Sequence, residues 1–200
     1  MRRRALIGSL AGLAAGSVGY MLAVGAWRSR DQRATDDPRP LPLTEMDWRL
    51  TDHRGRPITP ADWQGRPVMV FFGFTFCPDI CPTTLLNISD WMEALGADAD
   101  RLTVALVTVD PERDTPEALA DYLSNFDPRI IGLTGSAEDI ARIAQDFRAT
   151  YRQVPTGDGD YTMDHTAGVF LFRPDGGLAN IIDFHEDPAF ALPKIRRILG

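Results

Sequence analysis

Apolar residues recur along this chain at two alternating spacings. Pro67 to Phe74 (PVMVFFGF) is a continuous apolar run, as expected of a strand buried on both faces. Thr84 to Leu95 puts Leu85, Ile88, Trp91, Met92 and Leu95 on one helical face. Leu102 to Val109 (LTVALVTV) predicts a second buried strand. Thr115 is an N-cap residue followed by Pro116 and Glu117, which opens a helix to about Phe126. Ile130 to Leu133 predicts a short strand, and Ser136 with Asp139 opens a helix to about Ala149. His165 to Phe172 (HTAGVFLF) and Leu178 to Asp183 (LANIID) flank Pro174-Asp175-Gly176-Gly177, a hairpin signal. Asp187-Pro188 caps a last helix, which Pro193 bends or interrupts. Met46 to Thr51 alternates weakly ahead of a turn-like cluster, His53 to Arg56.

The predicted order is ββαβαβα, a ββ hairpin, then α. Alternation in the middle implies parallel strands, and the late hairpin adds antiparallel ones. The expected fold class is α/β, with a mixed central sheet and helices on both faces.

The first 30 residues follow a different pattern. Ala5 to Trp27 carries no charge and is long enough to cross a bilayer as a helix of roughly 20 residues. Its many glycines make it only moderately hydrophobic, and Val24-Gly25-Ala26 resembles a cleavage site. An uncleaved N-terminal transmembrane helix is the expectation, and a cleaved signal is the alternative. Residues 1–30 hold five arginines and no acid, so the rest is more acidic than the net charge of -7 conveys. A basic head on an acidic body fits a membrane-anchored protein with its soluble domain exported, in bacteria to the periplasm. The acidic balance argues against a nucleic-acid partner. Residues 31–44 (DQRATDDPRPLPLT) are polar and rich in proline, and read as a linker.

The chemistry concentrates where the first buried strand gives way to a helix. Phe74-Thr75-Phe76-Cys77-Pro78-Asp79-Ile80-Cys81-Pro82 puts both cysteines of the chain at a strand C-terminus and a helix N-terminus. Sites gather there in α/β sheets, and the helix end favours thiolate. In a CxxxC spacing the two Cβ atoms of a helix lie roughly 5–6 Å apart. That is wide for a disulfide, which prefers about 3.8 Å, though the stretch need not be regular helix. It suits two thiolates on one metal ion, which then needs a third ligand. Of the three histidines, His53 and His185 read as surface residues. His165, taken alone at a strand start, reads as structural.

The motifs taken together change that reading. Phe-Thr-Phe-Cys-Pro-Asp-Ile-Cys-Pro, then Val109-Asp-Pro-Glu-Arg-Asp-Thr-Pro-Glu117, then Asp164-His165-Thr166 and Pro174-Asp175-Gly176 resemble the SCO/SenC family. These are thioredoxin-fold copper chaperones of cytochrome c oxidase assembly. The resemblance covers about 45–198 and implies a thioredoxin-like domain over 45–200, tethered by an N-terminal helix. It implies one copper ion held by Cys77, Cys81 and His165. It also implies the copper-site subunit of cytochrome c oxidase as partner, beside other copper carriers or thiol reductants. Thiolates favour Cu(I), and imidazole with thiolate suits Cu(II). Zinc usually takes four ligands, and three are evident.

Neighbouring residues are weighed on the same footing. Asp164 adjoins His165, but consecutive strand residues face opposite ways. Met163 reads as core filling and Asp79 as a turn residue. Asp110 to Asp114 reads as a solvated strand-to-helix connection with internal ion pairs.

A metallochaperone binds and transfers; it does not catalyse. The alternative is an exported thiol–disulfide oxidoreductase using Cys77 and Cys81 as its redox pair, which requires no imidazole at position 165. A peroxidase fits poorly, since Thr75-Phe76-Cys77 lacks the threonine spacing of a peroxidatic cysteine. Exported thiols drift to disulfide, so a Cys77–Cys81 bond is expected to block Cu(I) loading.

Overall fold

The computed structural model describes residues 38–157 and 159–200. The expected membrane or signal helix within 1–30 lies outside them. Among the described residues, no helix is long and apolar enough to cross a membrane.

The apolar runs become the inner strands. β1 (Leu50–Asp52) and β2 (Pro57–Ile58) form a short hairpin. β3 (Val68–Gly73) is buried at all six positions. α1 (Ile80–Leu95) follows, then β4 (Thr103–Thr108), α2 (Pro116–Leu123), β5 (Ile130–Thr134) and α3 (Ala137–Asp146). β6 (Tyr151–Gly157) and β7 (Asp160–His165) form a second hairpin. β8 (Val169–Phe172), β9 (Leu178–Ile182) and α4 (Ala191–Leu199) complete the domain.

Seven strands form one mixed sheet in the order β2-β1-β5-β4-β3-β8-β9, flanked by helices, and β6-β7 stands apart as a two-stranded sheet. β3, β4 and β5 are parallel, and β8 runs antiparallel to β3. Phe147 seals one part of the core, its ring edge-on to Phe72, Phe170 and Phe172. Burying a phenylalanine ring stabilises a fold by roughly 1.5–3 kcal/mol relative to exposure. Leu43 is buried in the same core, and the Leu41 N–H donates to the Asp146 carbonyl, so the end of the proline-rich segment is held by the domain.

Three expectations change. His165 ends β7 instead of opening the buried strand, which starts at Val169. The preceding hairpin was not expected from the sequence, because β6 is largely exposed and carries Pro155. Pro193 neither bends nor interrupts the last helix. It sits at the third position of α4, in the first turn, where a backbone N–H has no helical acceptor.

The register builds the site. Gly73 ends β3 opposite Thr108, the last residue of parallel β4. Antiparallel β8 begins with Val169 opposite Phe71. The chain leaving β3, the chain leaving β4 and the chain entering β8 therefore meet at one end of the sheet.

Candidate metal centre

Cys77 lies in the loop after β3, and Cys81 lies in the first turn of α1. Cys77 is half-buried and Cys81 is fully buried. Neither is in a disulfide. The helix starts at Ile80, earlier than the apolar periodicity predicts, and its N-cap Asp79 makes no side-chain capping bond. Instead the Cys81 N–H donates to Cys77 Sγ at 3.4 Å. A sulfur at a helix N-terminus gains from N–H groups without intrahelical partners, and a thiolate gains most.

Gly73 makes room for Cys81. A Cβ at position 73 would stand 3.1 Å from Cys81 Sγ and 2.8 Å from the Phe71 ring. The bare backbone lets the buried sulfur lie against the end of β3.

His165 reaches the sulfurs from β7. Its Nε2 is 3.5 Å from Cys81 Sγ, and its Nδ1 is 3.0 Å from the Thr166 carbonyl oxygen. A carbonyl only accepts, so Nδ1 carries the hydrogen and Nε2 presents its lone pair to the sulfurs. The Phe71 and Phe74 rings meet the imidazole edge-on, at 6.1 and 5.8 Å between centroids, and limit its tilt. The ligating atoms of Cys77, Cys81 and His165 all lie within 4.8 Å of one another, so one metal ion can take all three.

The protons are divided unequally. The hydrogen bond from the Cys81 side chain, aided by the backbone N–H groups of Cys81 and Asp79, holds Cys77 down from an ordinary 9.0 to about 4, against its own burial. The same contact, with burial added, pushes Cys81 up. Metal-free, the pair is a Cys77 thiolate and a Cys81 thiol. Binding a metal through both sulfurs releases the Cys81 proton.

The other sequence candidates separate. Asp164 is exposed and pairs across the hairpin with Arg152 at 2.8 Å, so it does not orient His165. The Thr166 carbonyl does that. Met163 is buried in the core. His185 is exposed beside Asp183. His53 is half-buried, a departure from its surface reading: its Nδ1 accepts the Gly132 N–H at 2.9 Å and ties the β1–β2 turn to β5.

The loop after β4 is not a solvated connection. Asp110 and Asp114 are buried. Asp114 accepts the Thr75 hydroxyl at 2.6 Å, the Thr75 N–H at 3.1 Å and the Thr108 hydroxyl at 2.6 Å. Thr75 is two residues before Cys77, so this carboxylate pins the start of the cysteine loop. Spacing gives no sign of that role; only the register of β3 on β4 brings the two loops together. The signal available in sequence was the density of Asp around Pro111 at a strand end.

The comparisons agree with this geometry. The SCO1/SenC family model matches residues 36–200. The mitochondrial protein SCO2 homolog of Bos taurus is 40% identical over 179 residues, covering 88% of this chain and 67% of its own length. The mitochondrial protein SCO1 homolog of Mus musculus is 42% identical over 138 residues, 68% of this chain and 49% of that protein. Among solved structures, Bradyrhizobium japonicum ScoI with copper bound superposes with a TM-score of 0.71 at 42% identity, covering 76% of this chain and 97% of that one. Yeast Sco1 with copper bound gives 0.69 at 30% identity, over 76% of this chain and 85% of that one. The chain belongs to the SCO1/SenC family.

Proposed function

We propose that this protein is a copper metallochaperone that holds one copper ion on Cys77, Cys81 and His165 and delivers it to the binuclear copper site of cytochrome c oxidase during assembly. The observation that carries the reading is the meeting of two sulfurs and one imidazole nitrogen within 4.8 Å. Two thiolates select Cu(I), and the imidazole adds a nitrogen that also suits Cu(II). A three-coordinate ion beside an accessible loop can exchange ligands one at a time with the cysteines of an acceptor. Copper is the cargo here, and no bond of the protein is made or broken besides those to the ion and the Cys81 S–H.

The oxidoreductase reading is weaker. It leaves the imidazole, whose lone pair faces Cys81, without a task.

The charge-free tract Ala5–Trp27 supports an N-terminal anchor over residues 1–30, with the copper-binding domain on the exported side of a membrane.

The test is copper stoichiometry and affinity on the full-length chain, reduced and kept anaerobic. About one copper per chain is expected, with affinity falling on the order of 100-fold in His165→Ala and further in Cys77→Ser. Copper retained equally by all three proteins would overturn the assignment. Weak binding indifferent to His165, with rapid disulfide exchange, would move the reading to the oxidoreductase.

A further inference from the structure

Arg113 touches the loop that carries Cys77, the loop after β4 and the strand that carries His165, yet it lies outside the ligand set. Its Nε donates to Asp110 Oδ2 in the loop after β4. Its Nη1 donates to the Tyr161 carbonyl at 3.0 Å and reaches Asp160 Oδ1 at 3.3 Å, both in β7. Its guanidinium carbon lies 3.8 Å from the centroid of the Tyr161 ring and 4.6 Å from that of Phe76. The Tyr161 hydroxyl closes the loop by donating to Asp110 Oδ1 at 2.9 Å.

Each contact has a partner next to the chemistry. Phe76 immediately precedes Cys77. Tyr161 lies in the strand that ends at His165. Phe76 is 61% exposed, so the core does not hold it, whereas the Arg113 side chain is only 18% exposed. A guanidinium covered this well and facing two aromatic rings is a fixed part of the structure rather than a solvated surface charge.

The hairpin needs such a fixing. β6 and β7 pair with each other and join no strand of the seven-stranded sheet. Their ladder hydrogen bonds are therefore internal, and side chains attach the hairpin to the body. Met163 does so by burial in the core, and Tyr161 does so through Arg113 and Asp110. The imidazole thus stands on an element joined to the body by side chains rather than by ladder hydrogen bonds, while the sulfurs stand on the chain that leaves β3 and enters α1.

We propose that Arg113 is a positioning residue: it clamps the hairpin carrying His165 onto the loop carrying Cys77, and so sets how long the imidazole stays beside the sulfurs. Loosening the clamp frees the nitrogen ligand first and leaves the ion on two thiolates, the arrangement from which an acceptor takes it. This rests on the reading of Cys77, Cys81 and His165 as copper ligands.

The test uses full-length wild type, Arg113→Lys, Arg113→Met, His165→Ala and the Arg113→Met/His165→Ala double variant. The first measurement needs no metal. Hydrogen exchange of the Asp160–His165 amides in the metal-free protein is expected to rise about tenfold in Arg113→Met, with α1 and β4 unchanged. Arg113→Lys, which keeps the charge but not the planar fork, falls between. The second measurement is the rate of Cu(I) transfer to a water-soluble Cu(I) chelator. Arg113→Met is expected to release copper roughly tenfold faster than wild type. In the His165→Ala background the same change should add nothing, because the clamp acts through the imidazole. A purely structural arginine would speed release in both backgrounds, and that result, or unchanged hairpin exchange, overturns the proposal. A wild type that retains no copper overturns the ligand reading instead, and hairpin exchange then decides the clamp alone.

Discussion

The Thr75 hydroxyl donates to Asp114 at 2.6 Å across 39 residues of sequence, and that bond joins the cysteine loop to the end of β4. Replacing Asp114 by Ala would leave two hydroxyls and one N–H without their acceptor in a buried place. A loss of about 3 kcal/mol is expected by urea unfolding, with weaker copper binding alongside. The pH dependence has a definite sign. Burial holds the Asp114 carboxyl above its ordinary 3.8, so the folded chain binds this proton more tightly than the unfolded chain does. The stability tied to the protonated form is full below 3.8 and is lost as pH rises through the raised value. The advantage of wild type over Asp114→Asn should therefore be largest in acid and shrink toward neutrality. Urea midpoints for both proteins at about pH 4 and about pH 7 measure it, and a gap that widens with pH would contradict the assignment.

Cys77 should behave as a thiolate far into acid. Iodoacetamide is expected to alkylate it with an apparent midpoint near 4 while buried Cys81 stays unmodified. The largest cause of the depression is the hydrogen bond from Cys81, so Cys81→Ala should return the midpoint toward 9.0. Mass spectrometry of each thiol against pH reads both effects. The lowered value also adds stability that is full above 9.0 and fades as pH falls toward about 4.

Gly73→Ala tests the close approach of backbone to sulfur. The new Cβ meets the Phe71 ring, a Leu106 methyl at 3.1 Å and Cys81 Sγ. None of the three has free space in the core, since Phe71, Leu106 and Cys81 are all buried. A cost of about 1–3 kcal/mol in thermal or urea unfolding is expected. Copper affinity should fall with it, because Phe71 also faces the imidazole.

Asp164→Asn is expected to do little. Its partner is the exposed guanidinium of Arg152, and exposed pairs contribute roughly 0–1 kcal/mol. Copper affinity should stay within about twofold of wild type, since Thr166 holds the ring. A large loss on titration with copper would mean that Asp164 reaches the imidazole after all.

The inner sheet was legible in the sequence because its strands are buried on both faces. Val68–Gly73 and Val169–Phe172 read as unbroken apolar runs for that reason, and Thr103–Thr108 as an apolar run between two threonines. Thr115 and Ser136 each accept an N–H at the start of the helix that the capping pattern announced. The β6–β7 hairpin was not legible, because neither of its faces is uniformly apolar and its signal lies only in Gly157-Asp158-Gly159-Asp160. Gly157 and Gly159 do adopt the positive φ that such a turn requires. Of the site, the two cysteines stand out by spacing, whereas His165 stands out only beside the other family motifs. Asp114 and Arg113 escaped for a physical reason. A short acidic and basic run looks alike whether it faces water or the neighbouring loop, and strand register decides between the two.

The antiparallel pairing of β8 with β3 has one more consequence, for the order of events as the chain matures. Cys77 and Cys81 come together locally, as the first turn of α1 forms, but His165 lies 84 residues beyond Cys81 and meets it only when that pairing is complete. An ion captured once that turn has formed, but before β8 docks, would rest on two sulfurs alone. The full set of donors arrives late, at the rate of the slowest long-range contact in the sheet. A fully ligated ion then favours the finished fold over every earlier state. Cargo and scaffold are thus completed in one step, and a chain that stalls before that step surrenders its copper most readily.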